Sequence, residues 1–434
     1  KMEKDKLLIS SFKELSNPSN EFPIIKHIDD LRPTIKKYNE LLGKPFYEKE
    51  RDGMIFFNYR FATRKTFPTP TGTDRNDLLK LRECRGIAFH SKTGKIWSRS
   101  FHKFFNINEK PEENAADFVS KQLKGAKDCI FLTKLDGTMS IAVKNPDDES
   151  SFLFRTKMGT STDNAIAVNK TFGNNADISK FIQLCLSHDC SPIFEFTSPN
   201  FQIVIPYKTD TLTLLAVRHN ITGKYLPYKI ISETIKNYSL DMKLVDTQLK
   251  VDDLKDKNWI DNLHENMKYI EGGVLCLDST YFYKLKTKWY FEIHGNSRGE
   301  MYGKTESSIW NMILDQTFDD FLPQITADEM KDSLCTFQSE FEDALAKLFD
   351  YYKEEGVRAI QKYESIKDYV TDHSFDENIE KRFLLKMFRL LQADKSDDDI
   401  FEELKKWFKS YTTNKKIKKE FKRVLSKRVK DMNW

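Results

Sequence analysis

Glycine and proline are scarce in this chain of 434 residues, at 16 and 13, and after Gly303 only Gly356 and Pro323 occur. A stretch so poor in breakers excludes a loop-rich ending and reads as almost continuous helix. Cysteine is also sparse. The six residues Cys84, Cys129, Cys185, Cys190, Cys276 and Cys335 include no CxxC pair, so a disulfide framework is not indicated and reduced, structural thiols are expected. His188 and Cys190 offer two metal ligands, and two make no site. No apolar run reaches the length of a bilayer span, and the opening "KMEKDKLLISSFKEL" lacks a signal-peptide core, so an intracellular protein without a membrane role is expected. The net charge of +4 is too small to argue for a nucleic-acid partner by itself.

What is present is apolar and aromatic. Hydrophobic residues make up 39% and charged residues 31%, with 33 Phe and 17 Tyr, a composition that folds. The length suits two domains. Before about residue 295, short runs such as "GMIFFNYRF", "CIFLTK", "TMSIAV", "SFLFR", "PIFEF", "TLTLLAV", "GGVLCL" and "YFYKLK" alternate with turn residues, which predicts an α+β domain on antiparallel sheet. From about residue 296 to 434 an all-α domain is expected. Thr326-x-x-Glu329 and Ser374-x-x-Glu377 read as capping boxes, and Phe337, Phe341, Leu345, Leu348 and Tyr352 recur at helical spacing. The closing "NKKIKKEFKRVLSKRVKDM" predicts a helix with one strongly basic face, either a solvated surface or a contact for phosphate. The first 50 residues exceed what the strand-rich domain needs and receive no task.

Several charges stand where strands ought to be apolar. In "CIFLTKLDGTMSIAV" Lys134 closes an apolar run and Asp136-Gly137 follows, a strong local signal for a β-hairpin. Arg85 in "ECRG" precedes a strand, Lys103 lies in "HKFFNINE", Glu195 lies between two phenylalanines in "FEF", and Glu271 opens "EGGV". Lys284 and Lys286 in "YFYKLK" fall on one face of a strand, with Tyr283 and Leu285 on the other. Singly, each reads as a strand-end charge, a sheet edge guarded against aggregation, or a surface ion pair.

Together, and in this order, they resemble the covalent nucleotidyltransferase superfamily of ATP-dependent ligases and mRNA capping enzymes. Lys134-Leu135-Asp136-Gly137 matches its KxDG motif. The upstream "ECRG" and "KFFNINE" and the "KLKTKWY" form of the last motif resemble the RNA ligase 1 family, the phage-type enzymes of tRNA repair. Thr138 stands where serine is common, and it keeps the hydroxyl.

The resemblance implies an antiparallel-sheet nucleotidyltransferase domain of ATP-grasp-like ligase type over residues 1–295, then a helical RNA-specificity domain over 296–434. It implies a monomeric ATP-dependent enzyme that joins RNA 5′-phosphate and 3′-hydroxyl ends, cleaved tRNA foremost, through an AMP held on Lys134. Lys284 and Lys286 would attend the phosphates. Asp136, Glu195 and Glu271 would position Mg²⁺ or Mn²⁺, largely through water. Arg85, Lys103 and Lys157 would lie near phosphate or nucleotide. Val274 would lie against adenine, with the two glycines before it leaving room for the ring. A capping guanylyltransferase or DNA ligase is disfavoured, because no strand-rich closing barrel follows Tyr290. A catalytically inactive RNA-binding member, and a ligase of nicked duplexes, remain as alternatives.

Overall fold

The eight apolar runs all become strands, and together with four further strands they assemble three sheets. The structure, a computed structural model, describes residues 2–62, 65–247, 258–290, 306–322, 328–372 and 378–412. One sheet holds β1 (Phe46–Arg51), β2 (Met54–Tyr59), β3 (Ile87–His90) and β4 (Ile96–Ser98) in sequential order. The central sheet runs β10-β9-β8-β6-β7, from β6 (Thr138–Asn145), β7 (Asp148–Arg155), β8 (Cys190–Thr197), β9 (Thr211–His219) and β10 (Lys243–Leu244). A three-stranded sheet runs β12-β11-β5, from β5 (Cys129–Lys134), β11 (Gly272–Leu277) and β12 (Tyr281–Lys286). All pairings are antiparallel except β9 with β10.

The expected hairpin at Asp136-Gly137 does not form. Strand β5 pairs with β11, whereas β6 pairs with β7 and β8, so the Asp-Gly step is a corner where the chain leaves one sheet and enters another. Two apolar runs around a tight turn satisfy either geometry; which one forms is set by the distant strands β8 and β11.

The opening residues prove structural. Leu8, Phe12 and Leu15 of the helix Met2–Leu15 are buried with Ile182, Leu186 and Val217 against the central sheet. Ile25, Ile28, Leu31 and Ile35 join Phe57, Phe67 and Phe89 over the first sheet. Each core side chain of this size contributes about 1.5–3 kcal/mol of burial, so the segment is integral to the domain.

The chain divides into two compact units, Lys1–Gly299 and Glu300–Trp434. Among the described residues the second unit has five helices of seven residues or more: Glu306–Leu314, Asp328–Lys362, Ile366–Asp372, Asn378–Gln392 and Asp397–Thr412. Phe341, Leu345, Leu348 and Tyr352, four of the five residues at the expected helical spacing, are fully buried there. Both capping boxes and the basic helix lie, in part or whole, outside the described residues.

Candidate active site

Register brings the charged residues together. Gly272 on β11 is the partner of Lys134 on β5 and of Lys286 on β12, so the two lysines end their strands on either side of one glycine. A Cβ at Gly272 would lie 2.0 Å from the Leu285 carbonyl oxygen, and its φ of +153° suits glycine. A Cβ at Gly273 would lie 2.1 Å from the Phe131 ring. Sheet packing therefore explains this glycine pair, not room for a ring above Val274.

Glu271, directly before that row, reaches both amines. Lys134 Nζ donates to its Oε2 at 2.7 Å and Lys286 Nζ approaches its Oε1 at 2.8 Å. The carboxylate is 3% exposed. Burial disfavours its charge, yet Lys134 and Lys286 outweigh that and hold its pKa below the ordinary range. The Lys286 ammonium also lies 5.1 Å from the centre of the Tyr290 ring.

Beside Lys134 opens a cleft lined by Arg85, Glu195, Val274 and Lys284, with Leu132, Phe104 and Phe282 among its apolar walls. Strand alternation on β12 explains the sides: Lys284 lines the cleft while Tyr283 and Leu285 pack with Phe131 and Leu275 on the other face. Glu195 accepts from the Gly137 N–H at 3.2 Å. Burial pushes its pKa up to about 7, with Lys134 pulling down and Glu271 pushing up. Apolar walls, cations at one end and a buried carboxyl suit a nucleotide: a flat base and a charged tail.

Asp136 is committed elsewhere. Its Oδ2 accepts from the N–H groups of Val204 and Ile205 at 2.8 Å each, and its Oδ1 accepts from the Tyr290 hydroxyl at 2.9 Å. Its own N–H donates to the Tyr207 hydroxyl at 3.1 Å. It thus fixes the corner that carries Lys134. Among the described residues no group of three or more acidic, His or Cys side chains is arranged to ligate a metal directly. Glu195 lines the cleft, and Glu271, whose two oxygens hold Lys134 and Lys286, lies behind Lys134, so the pair fits a hydrated Mg²⁺ reached through its waters and leaning on phosphate oxygens, not a directly ligated ion.

Not every expected residue gathers here. Lys103 is buried and lines a neighbouring cavity with Arg82 and Phe105, its ammonium 5.1 Å from the Phe105 ring centre. Lys157 is exposed on a turn whose backbone packs on Gly86. Sequence reasoning missed Tyr290 and Tyr207, since an isolated tyrosine has no periodicity to betray it. It also passed over Glu83 of "ECRG". This carboxylate is 2% exposed and takes forked pairs from two fully buried guanidiniums, with Arg218 Nη1 and Nη2 at 2.8 Å and Arg99 Nη2 at 2.9 Å. Burial works against its charge, but Arg218 and Arg99 win and hold the carboxyl at about 2. Arg218 also donates to the Ser100 carbonyl, and the Ser100 hydroxyl donates to the Arg85 carbonyl at 2.6 Å, so this buried core fixes the turn that presents Arg85.

Residues 83–290, which run from Glu83 to Tyr290 and include Lys134, Asp136, Glu195, Glu271, Lys284 and Lys286, match the RNA ligase family model. A Thermovibrio ammonificans protein named "Putative RNA ligase" is 32% identical over 305 residues, 68% of this chain and 73% of that protein. The chain belongs to the RNA ligase family. A second relative, RNA ligase 1 of bacteriophage TS2126, is 23% identical over 251 residues, 56% of this chain and 58% of that enzyme. Among solved structures an archaeal ATP-dependent RNA ligase overlaps 73% of this chain and 81% of its own at 12% identity, with a TM-score of 0.42. That overlap is loose, and membership rests on the sequence relatives. The expected RNA ligase 1 type is thereby met, as is the antiparallel α+β fold class.

Proposed function

We propose that this RNA ligase family protein activates RNA 5′-phosphates with ATP through an AMP carried on Lys134. The observation that carries the reading is the single buried carboxylate of Glu271 shared by Lys134 and Lys286 at the edge of an apolar cleft. Glu271 aims the Lys134 amine. As the amine attacks, it gives up its proton to solvent. The nitrogen forms a bond to the α-phosphorus of ATP while the bond to pyrophosphate breaks, and Lys284 and Lys286 follow the charge moving onto the leaving oxygens.

AMP then passes to the RNA 5′-phosphate as the P–N bond breaks. The 3′-hydroxyl, losing its proton, attacks the activated phosphate and releases AMP. Glu195 and Glu271 would hold Mg²⁺ or Mn²⁺ through water; the ion, when bound, neutralises phosphate charge. Asp136 serves as a positioning residue. RNA with a 5′-phosphate and a 3′-hydroxyl, cleaved tRNA in particular, is the substrate we assign. The helical unit would supply contacts to it.

Incubation with α-labelled ATP and Mg²⁺ tests this. Label should attach to the protein through a bond labile to acid and stable to alkali, and Lys134→Ala and Lys134→Arg should both abolish label and joining. Label retained on either variant would place the nucleophile elsewhere.

A further inference from the structure

The two segments that frame the lysine row also carry an aromatic pair, Tyr269 exposed and Trp289 half-buried. Tyr269 precedes Glu271 by two positions and Trp289 follows Lys286 by three. Thr287 laces the segments together, its N–H donating to the Glu271 carbonyl at 3.0 Å and its hydroxyl to the Ile270 carbonyl at 2.9 Å. Tyr290, which holds Asp136, in turn donates its N–H to the Thr287 hydroxyl at 3.1 Å. The pair therefore stands on the same rigid backbone as Glu271, Lys286 and Tyr290.

Three observations set the pair apart from ordinary surface side chains. Tyr269 is 77% exposed, the most exposed of the large apolar or aromatic residues among those described. Its backbone sits at φ +65°, in the left-handed region that glycine or asparagine occupies readily and a bulky side chain does not. Its ring centre lies 5.3 Å from that of Trp289 with the planes at 52°, so the rings leave an open face instead of closing on each other. Folding gains nothing from a tyrosine in that conformation and in water. A flat partner arriving beside the reacting groups would gain from it.

The neighbouring charge indicates which partner. Lys268 is exposed and makes no ion pair among the described residues, whereas Lys288 is paired with Glu265 at 2.9 Å. An aromatic face with an adjacent available cation is the pattern by which single-stranded nucleic acid is held: the base stacks and the phosphate meets the charge, with little regard for sequence. The cleft beside Lys134 has its own apolar walls, Val274, Phe104 and Phe282, to receive the base of ATP.

We infer that Tyr269 and Trp289 form a stacking platform for a nucleobase of the RNA end being joined, with Lys268 beside its phosphate. The inference rests on the RNA-joining reading above and adds to it the contact that seats the strand.

The test uses the full chain and single-stranded RNA substrates with intact ends, with an abasic 5′-terminal nucleotide, or with an abasic 3′-terminal nucleotide. Tyr269→Gly, which suits the left-handed backbone and keeps the fold, and Trp289→Ala should each raise the KM for intact RNA about tenfold. Tyr269→Phe, which retains the ring, should stay near wild type. On one of the two abasic substrates wild type should show the raised KM already, and Tyr269→Gly should add nothing to it. Unchanged KM in Tyr269→Gly, or an equal rise on intact and on both abasic substrates, overturns the platform. Slower label transfer from ATP in Tyr269→Gly would assign the ring to ATP and also overturn it. Label transfer onto wild-type protein is read separately: its absence defeats the lysyl-AMP reading, while the KM comparison still decides the platform.

Discussion

Lys134 and Lys286 occupy the two oxygens of one carboxylate. They lie 152 positions apart in the chain, on strands that never pair with each other, and Gly272 between them brings both within 2.8 Å of Glu271. Neither lysine can be changed without altering what the other sees.

Removing Lys286 should therefore disturb the amine as well as the phosphate site. Lys286→Ala should lower lysyl-adenylate formation about 100-fold, the scale of losing one donor to a developing charge. Joining of RNA already carrying a 5′-adenylate should fall much less. Lys284→Ala, which leaves the Glu271 pairs intact, should show the milder form of the same split. Single-turnover assays of the two steps read it, and equal losses in both steps would mean a structural role.

Tyr290→Phe removes the hydroxyl bond to Asp136 Oδ1 and leaves a buried carboxyl oxygen short of a donor. The expected cost is about 1–3 kcal/mol of stability. Adenylation should slow while the KM for ATP changes little, because the corner holding Lys134 loosens but the cleft walls stay. Urea unfolding and initial rates measure both.

Glu83→Gln leaves two guanidiniums buried without a counter-charge and should cost about 3–5 kcal/mol. The pH dependence carries the same information. A carboxyl at about 2 in the fold and at the ordinary 4.5 when unfolded stabilises the protein fully above pH 4.5. That contribution drains away as pH falls from there toward 2. In wild type the midpoint of urea unfolding should drop across that window, and Glu83→Gln should flatten the drop.

Phe12→Ala should cost about 3–5 kcal/mol. Its ring is 3% exposed and stacks on His188 with centres 4.5 Å apart. Thermal melting of the full chain reads this, and a loss near zero would make the opening helix an appendage.

Much of this was legible beforehand, for reasons that differ by residue. Glu195, Glu271, Lys284 and Lys286 stood out because a charge inside an apolar run violates the period of a strand, and the violation is local. The corner at Asp136-Gly137 was misread because its neighbours in sequence are the same whether the strands pair or part. Asp136 finds Val204 and Ile205 at 68 and 69 positions' distance and Tyr290 at 154, so nothing near it announces its bonds. Glu83 hid in plain view: its guanidinium partners Arg99 and Arg218 are 16 and 135 positions away. The opening segment received no task because amphipathic helix pattern tells which face is buried and not against what.

That segment has a further consequence in time. The Thr222 hydroxyl donates to the Leu15 carbonyl at 2.6 Å across 207 positions, and Ile25 donates its N–H to Ile221. On a ribosome adding about 5–20 residues per second, the opening helix therefore emerges roughly 10 to 40 seconds before its seat on the sheet exists. Through that interval Leu8, Phe12 and Leu15, buried in the finished domain, lack the sheet that covers them.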